Sequence, residues 1–183
     1  MKMKKLVLIA VAMVAVVTNA ASFSWKTNTM GKIYEADSTT LLSSATAYLF
    51  DAGKVTQASL FEAFVAGTDI STLGYADSTT VASGAIATKT FDVPAGYETG
   101  DIFNAYIAIV DGDNIYIGNQ YEGATPGTGT KAISLNEKAV SQAALNTTGS
   151  YTGAGWYAAV PEPTSGLLML VGLAGLALRR RRA

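Results

Sequence analysis

The sequence predicts a mainly β fold: a single β-sandwich or jelly-roll-like domain with one or two short helices, flanked by two apolar termini. Three observations predict this class. Short alternating segments recur between turn signals, one long segment is apolar on both faces of an extended strand, and only two stretches have helical spacing. Because strands outnumber helices, we expect the helices to be accessory to the sheets.

The strongest strand signal runs through residues 102–121. Alternate residues from 103 to 109 are apolar, and the opposite face is largely apolar as well. A strand with two apolar faces is typical of the centre of a sheet that is covered on both sides. Residues 111–114, Asp-Gly-Asp-Asn, predict a turn, and residues 115–117 predict the returning strand of a hairpin.

The remaining elements are short. Further strands are predicted at residues 22–26, 32–34, 46–50, 85–93, 131–135 and 156–160, and helices at 59–66 and 137–145. Residues 123–129 are rich in Gly and Thr and are predicted to form a loop. The pentapeptide at residues 36–40 recurs identically at 76–80. It predicts two similar turn-then-strand units, with coincidence in a Ser/Thr/Ala-rich chain as the alternative.

The N-terminus has the order of a secretory signal peptide. Residues 2–5 include three lysines, residues 6–17 are apolar but too short to span a bilayer, and small residues precede a cleavage point. We therefore predict a signal peptide at residues 1–20, cut between Ala20 and Ala21. The alternatives are a retained membrane anchor and a buried core helix.

The C-terminus has three parts in a fixed order. Pro161, Glu162 and Pro163 precede an apolar segment at residues 164–178, and an arginine cluster follows. As a helix this segment would measure about 22 Å, against about 30 Å of hydrocarbon, so we expect marginal anchoring that depends on snorkelling. Arginines should stay cytoplasmic and leave the preceding chain outside. The membrane-stop residues are Arg179, Arg180, Arg181 and Arg182.

This tail, over about residues 160–183, resembles the PEP-CTERM sorting signal. The resemblance implies that the partner is exosortase, a membrane cysteine transpeptidase of Gram-negative-type bacteria, which would process the chain at Pro161, Glu162 and Pro163. It also implies transient membrane anchoring, followed by transfer to the cell surface or to an extracellular exopolysaccharide matrix. It implies no fold or activity for residues 21–159. An ordinary tail anchor with a proline-containing linker is the alternative.

Composition narrows the function of the domain at residues 21–159. That segment holds six lysines and thirteen carboxylates, for a formal charge of −7, whereas the whole chain carries −1. This balance argues against nucleic acid as a partner. The chain has no histidine and no cysteine, which excludes Ser-His-Asp and Cys-His catalysis, the usual zinc sites and disulfides. We expect no catalytic, cofactor-binding or metal-binding residue, no cofactor, and a protein that is not an enzyme.

Three functions remain open for this domain. The first is a non-catalytic structural or matrix protein. The second is a carbohydrate-binding module with exposed aromatic side chains, although core packing is their more frequent use. Its candidates are Tyr97, Tyr106, Tyr116, Tyr121, Tyr151, Trp156 and Tyr157. The third and least expected is a glycoside hydrolase. Its candidates are Asp101, Asp111, Asp113 and Glu122, which no sequence spacing pairs. Calcium binding at 111–114 is not expected, because Ile115 and Tyr116 break the EF-hand pattern.

Overall fold

A ten-residue strand runs through the middle of the larger of two sheets. The computed structural model describes residues 20–159. The strands are β1 (Ser22–Thr27), β2 (Thr46–Asp51), β3 (Asp77–Ala82), β4 (Ala85–Ile86), β5 (Lys89–Asp92), β6 (Ile102–Asp111), β7 (Asn114–Ile117), β8 (Tyr121–Ala124), β9 (Thr130–Leu135) and β10 (Gly155–Ala158). The helices are α1 (Gln57–Val65) and α2 (Lys138–Ser141), with a 3-10 turn at Ile70–Thr72.

The strands form two open sheets. The large sheet has the order β10-β7-β6-β2-β3-β4, and β8 pairs with the first part of β6; all of these pairs are antiparallel. The small sheet has the order β5-β1-β9, in which β1 and β9 run parallel. The prediction of a mainly β fold with two short helices is confirmed for the described residues.

Strand β6 is buried on both faces, as its apolar pattern predicts. Phe103 and Ile107 point into a core shared with Trp25 of the small sheet. Tyr106 points to the opposite face and packs in a second core with Leu60 of α1. The small sheet therefore covers one face of the large sheet, and α1 covers part of the other.

Elements that are marked by turn or capping residues form where the sequence predicts them. The β6–β7 hairpin turns on Gly112, whose φ of 57° suits the first position of a two-residue loop. Helix α1 begins after Thr56, whose hydroxyl accepts a hydrogen bond from the Ser59 amide at 3.1 Å, and it ends before Gly67 with φ 79°. Helix α2 forms inside the predicted range of 137–145 but is only four residues long.

Two strand predictions are wrong. Residues 32–34 form one isolated bridge, Tyr34 to Leu41, because the Ile33 amide and carbonyl bond instead to Gly84 and Leu42. The range 85–93 divides into β4 and β5, which belong to different sheets because the chain crosses between them at 87–88.

Two strands were not predicted. One is β3, which is joined to β4 by a Ser83-Gly84 loop with φ values of 49° and 70°, both positive as a type I′ hairpin requires. The other is β8, which contains Gly123 from the predicted loop at 123–129.

The repeated pentapeptide adopts two different structures. At residues 36–40 it forms a turn, in which Asp37 Oδ1 accepts hydrogen bonds from the Thr39 and Thr40 amides, each at 2.8 Å. At residues 76–80 it enters β3 and pairs with β2. The prediction of two similar turn-then-strand units is therefore wrong, because pairing with β2 overrides the local turn preference of the same five residues.

Asp77, in the second copy, connects the two sheets. Its Oδ2 accepts a hydrogen bond from Trp25 Nε1 of β1 at 2.7 Å, and its Oδ1 lies 2.7 Å from Lys89 Nζ of β5. The Asp77 side chain is 13 % exposed, so the contact is largely shielded from water. One carboxylate on β3 of the large sheet thus contacts two strands of the small sheet.

We predict that Asp77→Ala lowers the free energy of unfolding by about 2–3 kcal/mol, because it removes charged hydrogen bonds and leaves the Trp25 indole N–H without an acceptor. Asp37→Ala is the matched control, since it alters the same pentapeptide in an exposed turn and should cause a smaller loss. Urea titration of both variants measures the difference. Equal losses would contradict the role of Asp77 as the connection between the sheets.

Candidate functional site

The described chain ends against the edge of the large sheet. On edge strand β10, Trp156 is fully buried and donates its indole N–H to the Tyr34 carbonyl at 2.9 Å. The Ala159 amide then donates to the Asp113 carbonyl, in the β6–β7 turn, at 2.7 Å. The last described residue is therefore still tied to the sheet, two positions before Pro161 in the sequence.

The other end of the described chain leads directly into a core strand. Ala20 is exposed and Ala21 is half-buried, and the Ala21 carbonyl accepts a hydrogen bond from the Val93 amide at 3.3 Å. Phe23, two residues further, is fully buried in β1 at the middle of the small sheet. The predicted cut between Ala20 and Ala21 would leave this strand whole, whereas a cut after Phe23 would remove part of the core.

The other predicted sorting residues lie outside the described residues. These are Pro161, Glu162, Pro163, the apolar segment at 164–178 and the arginine cluster at 179–182, together with residues 1–19 of the predicted signal peptide. Between residues 20 and 159, no helix has the length and apolar character needed to cross a membrane.

The seven aromatic residues proposed for sugar stacking are mostly core residues. Four are buried: Tyr106, Tyr116, Trp156 and Tyr157. Tyr97 is half-buried and donates its hydroxyl to Asp51 Oδ1 at 2.8 Å, and the half-buried Tyr121 accepts from the Asn136 amide at 2.6 Å. Tyr151 packs against Tyr157, with ring centroids 5.6 Å apart. These seven side chains do not form an exposed row, so core packing is confirmed as their main use.

The carboxylates proposed for hydrolysis lie in two groups, Asp101 and Glu122 near the start of β6 and Asp111 and Asp113 at its end. Glu122 pairs with Asn104 near the start of β6, while Asp111 ends that strand. Seven residues of strand correspond to about 23 Å at 3.3 Å per residue, well beyond the ~5–9.5 Å of paired glycosidase carboxylates. Asp113 lies in the hairpin turn, and Asp101 Oδ2 accepts from the Glu98 amide at 2.8 Å. Within the range 20–159, no three carboxylates are grouped as metal ligands.

The sequence analysis missed two buried acids, Asp51 and Glu137, of which Glu137 is the more completely buried. Glu137, just before α2, is fully buried, and its Oε2 accepts hydrogen bonds from the Tyr116 hydroxyl at 2.6 Å and the Asn119 amide at 3.2 Å. The ion pairs in the described part of the chain involve Asp51 and Asp77 rather than Glu137. A single glutamate beside a short helix is usually exposed, so no sequence signal marks this burial.

The environment of Glu137 favours its neutral form. Burial raises the pKa of Glu137, and the hydrogen bond from Tyr116 opposes that rise. The site is also tightly packed, because a Cβ atom at Gly118 would lie 3.0 Å from Glu137 Oε1 and 2.8 Å from Ile107 Cγ1. Glu137 thus holds the segment after β7 against the start of α2, and it lines neither the groove beside Tyr48 nor the one beside Asn28.

We predict that Glu137 makes the domain more stable in acid. The folded state binds the Glu137 carboxyl proton more tightly than the unfolded chain does, where the pKa is 4.5. The resulting gain in the free energy of unfolding is therefore complete below pH 4.5 and is lost as the pH rises through the pKa of the folded state. Glu137→Gln keeps the size and the hydrogen-bond acceptor of the side chain but cannot ionise. The free energy of unfolding of this variant should therefore fall less than that of the wild type as the pH rises. Urea titrations from acid to neutral pH measure the effect.

The exposed Glu62→Gln change on α1 is the control and should keep the wild-type decline. If Glu137→Gln also declines like the wild type, the buried carboxyl is not the source of the pH dependence.

The C-terminal tail matches a known sorting signal. Residues 159–182 match the family model of the PEP-CTERM protein-sorting motif. The match begins at Ala159, the residue bonded to the β6–β7 turn, and it includes the Pro-Glu-Pro segment, the apolar segment and the arginines. No curated protein matches the chain.

The motif implies an exported protein that is targeted to the cell surface. More particularly, it implies recognition by exosortase, so the resemblance drawn from the sequence is confirmed for this segment of the chain.

Proposed function

We propose that the protein is a structural component of the cell surface or extracellular matrix, sorted by exosortase, in which residues 21–159 form a non-catalytic domain. The match over residues 159–182 carries the proposal. In this account the signal peptide is removed between Ala20 and Ala21, and the apolar segment at 164–178 holds the precursor in the membrane until processing at residues 161–163.

The described domain supports a passive role after export. Its two open sheets share one core, which favours the β-sandwich class, and its stability comes from packing without disulfides. Its charge of −7 suits a protein that stays soluble outside the cell. The positions of Asp111 and Glu122 towards opposite ends of β6 give no support to the hydrolase alternative.

The junction at Ala159 supports processing close to the folded domain. Ala159, whose amide is bonded to the Asp113 carbonyl, precedes Pro161 by two positions in the sequence, and an extended chain reaches at most ~3.6 Å per residue. The processing enzyme would therefore work beside the β6–β7 turn. We expect the two prolines to disfavour a helix in the processing segment.

The alternative of a polysaccharide-binding module has one specific observation in its favour. Tyr48 and Tyr75, which are not among the seven sequence candidates, pack together beside a surface groove, with ring centroids 5.0 Å apart. Delivery by the same sorting route would bring such a surface into contact with extracellular polysaccharide.

We predict that replacing Pro161, Glu162 and Pro163 with alanine blocks processing, because the enzyme loses its extended recognition segment. The variant should remain in the membrane fraction as a precursor that retains the arginines at 179–182. Fractionation of native cells followed by mass analysis of the protein measures this.

The control is Pro126→Ala, which removes a proline from a loop of the folded domain and should be processed normally. Release of the triple variant with the wild-type mass would contradict the assignment of residues 161–163.

A further inference from the structure

A groove of about 510 Å³ lies on the face of the large sheet that α1 partly covers. One side is formed where β2 begins and β6 ends, by Thr46, Tyr48 and Val110. The other side is formed by Phe64 of α1 and the segment at 67–70 that follows the helix. This volume is within the range of small-ligand sites, about 300–1,000 Å³.

The groove combines aromatic and aliphatic surface. Tyr48 is half-buried and packs against Tyr75, which is 39 % exposed. Val110, on the neighbouring strand, is 37 % exposed. Four large apolar side chains are exposed in the described part of the chain, and Tyr75 and Val110 are two of them. Val110 lines the groove and Tyr75 packs against its Tyr48, so aromatic and aliphatic surface at this place is available to stack against a ligand.

Free hydroxyl groups surround this surface. Ser44, Thr46 and Thr68 line the groove and are exposed, and neither their hydroxyls nor that of Tyr48 make a hydrogen bond to another described residue. Next to the groove, the Thr72 hydroxyl differs from these, because it donates to the Asp69 carbonyl at 2.7 Å. The groove thus presents several donors and acceptors without protein partners.

The charge of the groove selects against anions. Among the described residues that line it there is no lysine or arginine, and Asp69 is the one carboxylate. A hydrogen bond from the Ser71 amide at 2.9 Å lowers the pKa of Asp69, so this group is ionised at neutral pH. With a domain charge of −7, an acidic ligand would be repelled.

We propose that this groove binds a neutral saccharide unit. The apolar face of a sugar ring would stack on Tyr48, and its hydroxyls would exchange hydrogen bonds with Ser44, Thr46, Thr68 and Asp69. This site depends on the proposed function in one respect only, which is that export brings the domain into contact with extracellular sugar. The groove itself lies wholly within the described domain. The implied partner is neutral extracellular polysaccharide.

Calorimetric titration of the exported protein, purified from its native cells, tests the site. The neutral probes are cellohexaose, maltohexaose and the neutral polysaccharide fraction of the same cell envelope, and the acidic probe is hexagalacturonate. Saturable binding of a neutral probe, with weaker or no binding of the acidic one, is expected. A wild-type protein that binds none of the neutral probes, or that prefers the acidic one, overturns the proposal.

Variants locate the binding. The double change Thr46→Val and Thr68→Val removes two exposed hydroxyls at nearly constant volume and should weaken binding about tenfold. Tyr48→Ala should abolish it, with circular dichroism to check folding. The control Thr99→Val alters an exposed threonine outside the groove and should bind as the wild type does.

If the double threonine variant binds as tightly as the wild type, the sugar is bound elsewhere and the groove assignment is wrong. The intact mass of the same preparation shows separately whether the C-terminal tail has been removed. Failure of tail processing is therefore distinguishable from failure of sugar binding.

Discussion

Strand β6 is buried on both faces: the small sheet packs against one face and helix α1 packs against the other. Phe103 and Ile107 on one face require the small sheet, and Tyr106 on the other requires α1. The nine-residue helix is about 13 Å long, whereas the ten-residue strand extends about 33 Å, so the helix cannot cover the whole face. The exposed apolar residues of the strand, Ile102 and Val110, lie at its two ends on that side. The groove is therefore a consequence of the mismatch in length between a central strand and the helix packed on it.

Elements whose local and tertiary preferences agree could be predicted from the sequence. The apolar faces of β6, the glycine in its hairpin and the cap of α1 are examples, since each signal involves residues close together in the chain. The pentapeptide at 36–40 and 76–80 shows the limit, because identical residues form a turn in one place and a strand in the other. Asp77 has Trp25 and Lys89 as partners, 52 residues before it and 12 after it, and no local pattern encodes that contact.

One candidate site could be predicted from the sequence and the other could not. The sorting tail is recognisable from sequence because its three parts are contiguous and their order is itself the signal. The groove is not, because Tyr48, Phe64, Thr68 and Val110 come from three separate segments that only the sheet pairing and the helix connection bring together. The burial of Glu137 could not be predicted from the sequence either, because it depends on contacts with Tyr116 and Asn119 of the β7 region. The most conspicuous aromatic residues in the sequence, including Trp156, instead build the core.

The proposed function requires that the domain reach the outside of the cell and be released from its tail. Intact mass of the wild-type protein, recovered from the native cell envelope and the medium, tests this most directly. We expect a chain that begins near Ala21 and ends near Pro163, which keeps β1 and β10 whole. A mass that retains the arginines at 179–182 in cells with active exosortase would contradict it and would indicate a simple tail-anchored surface protein.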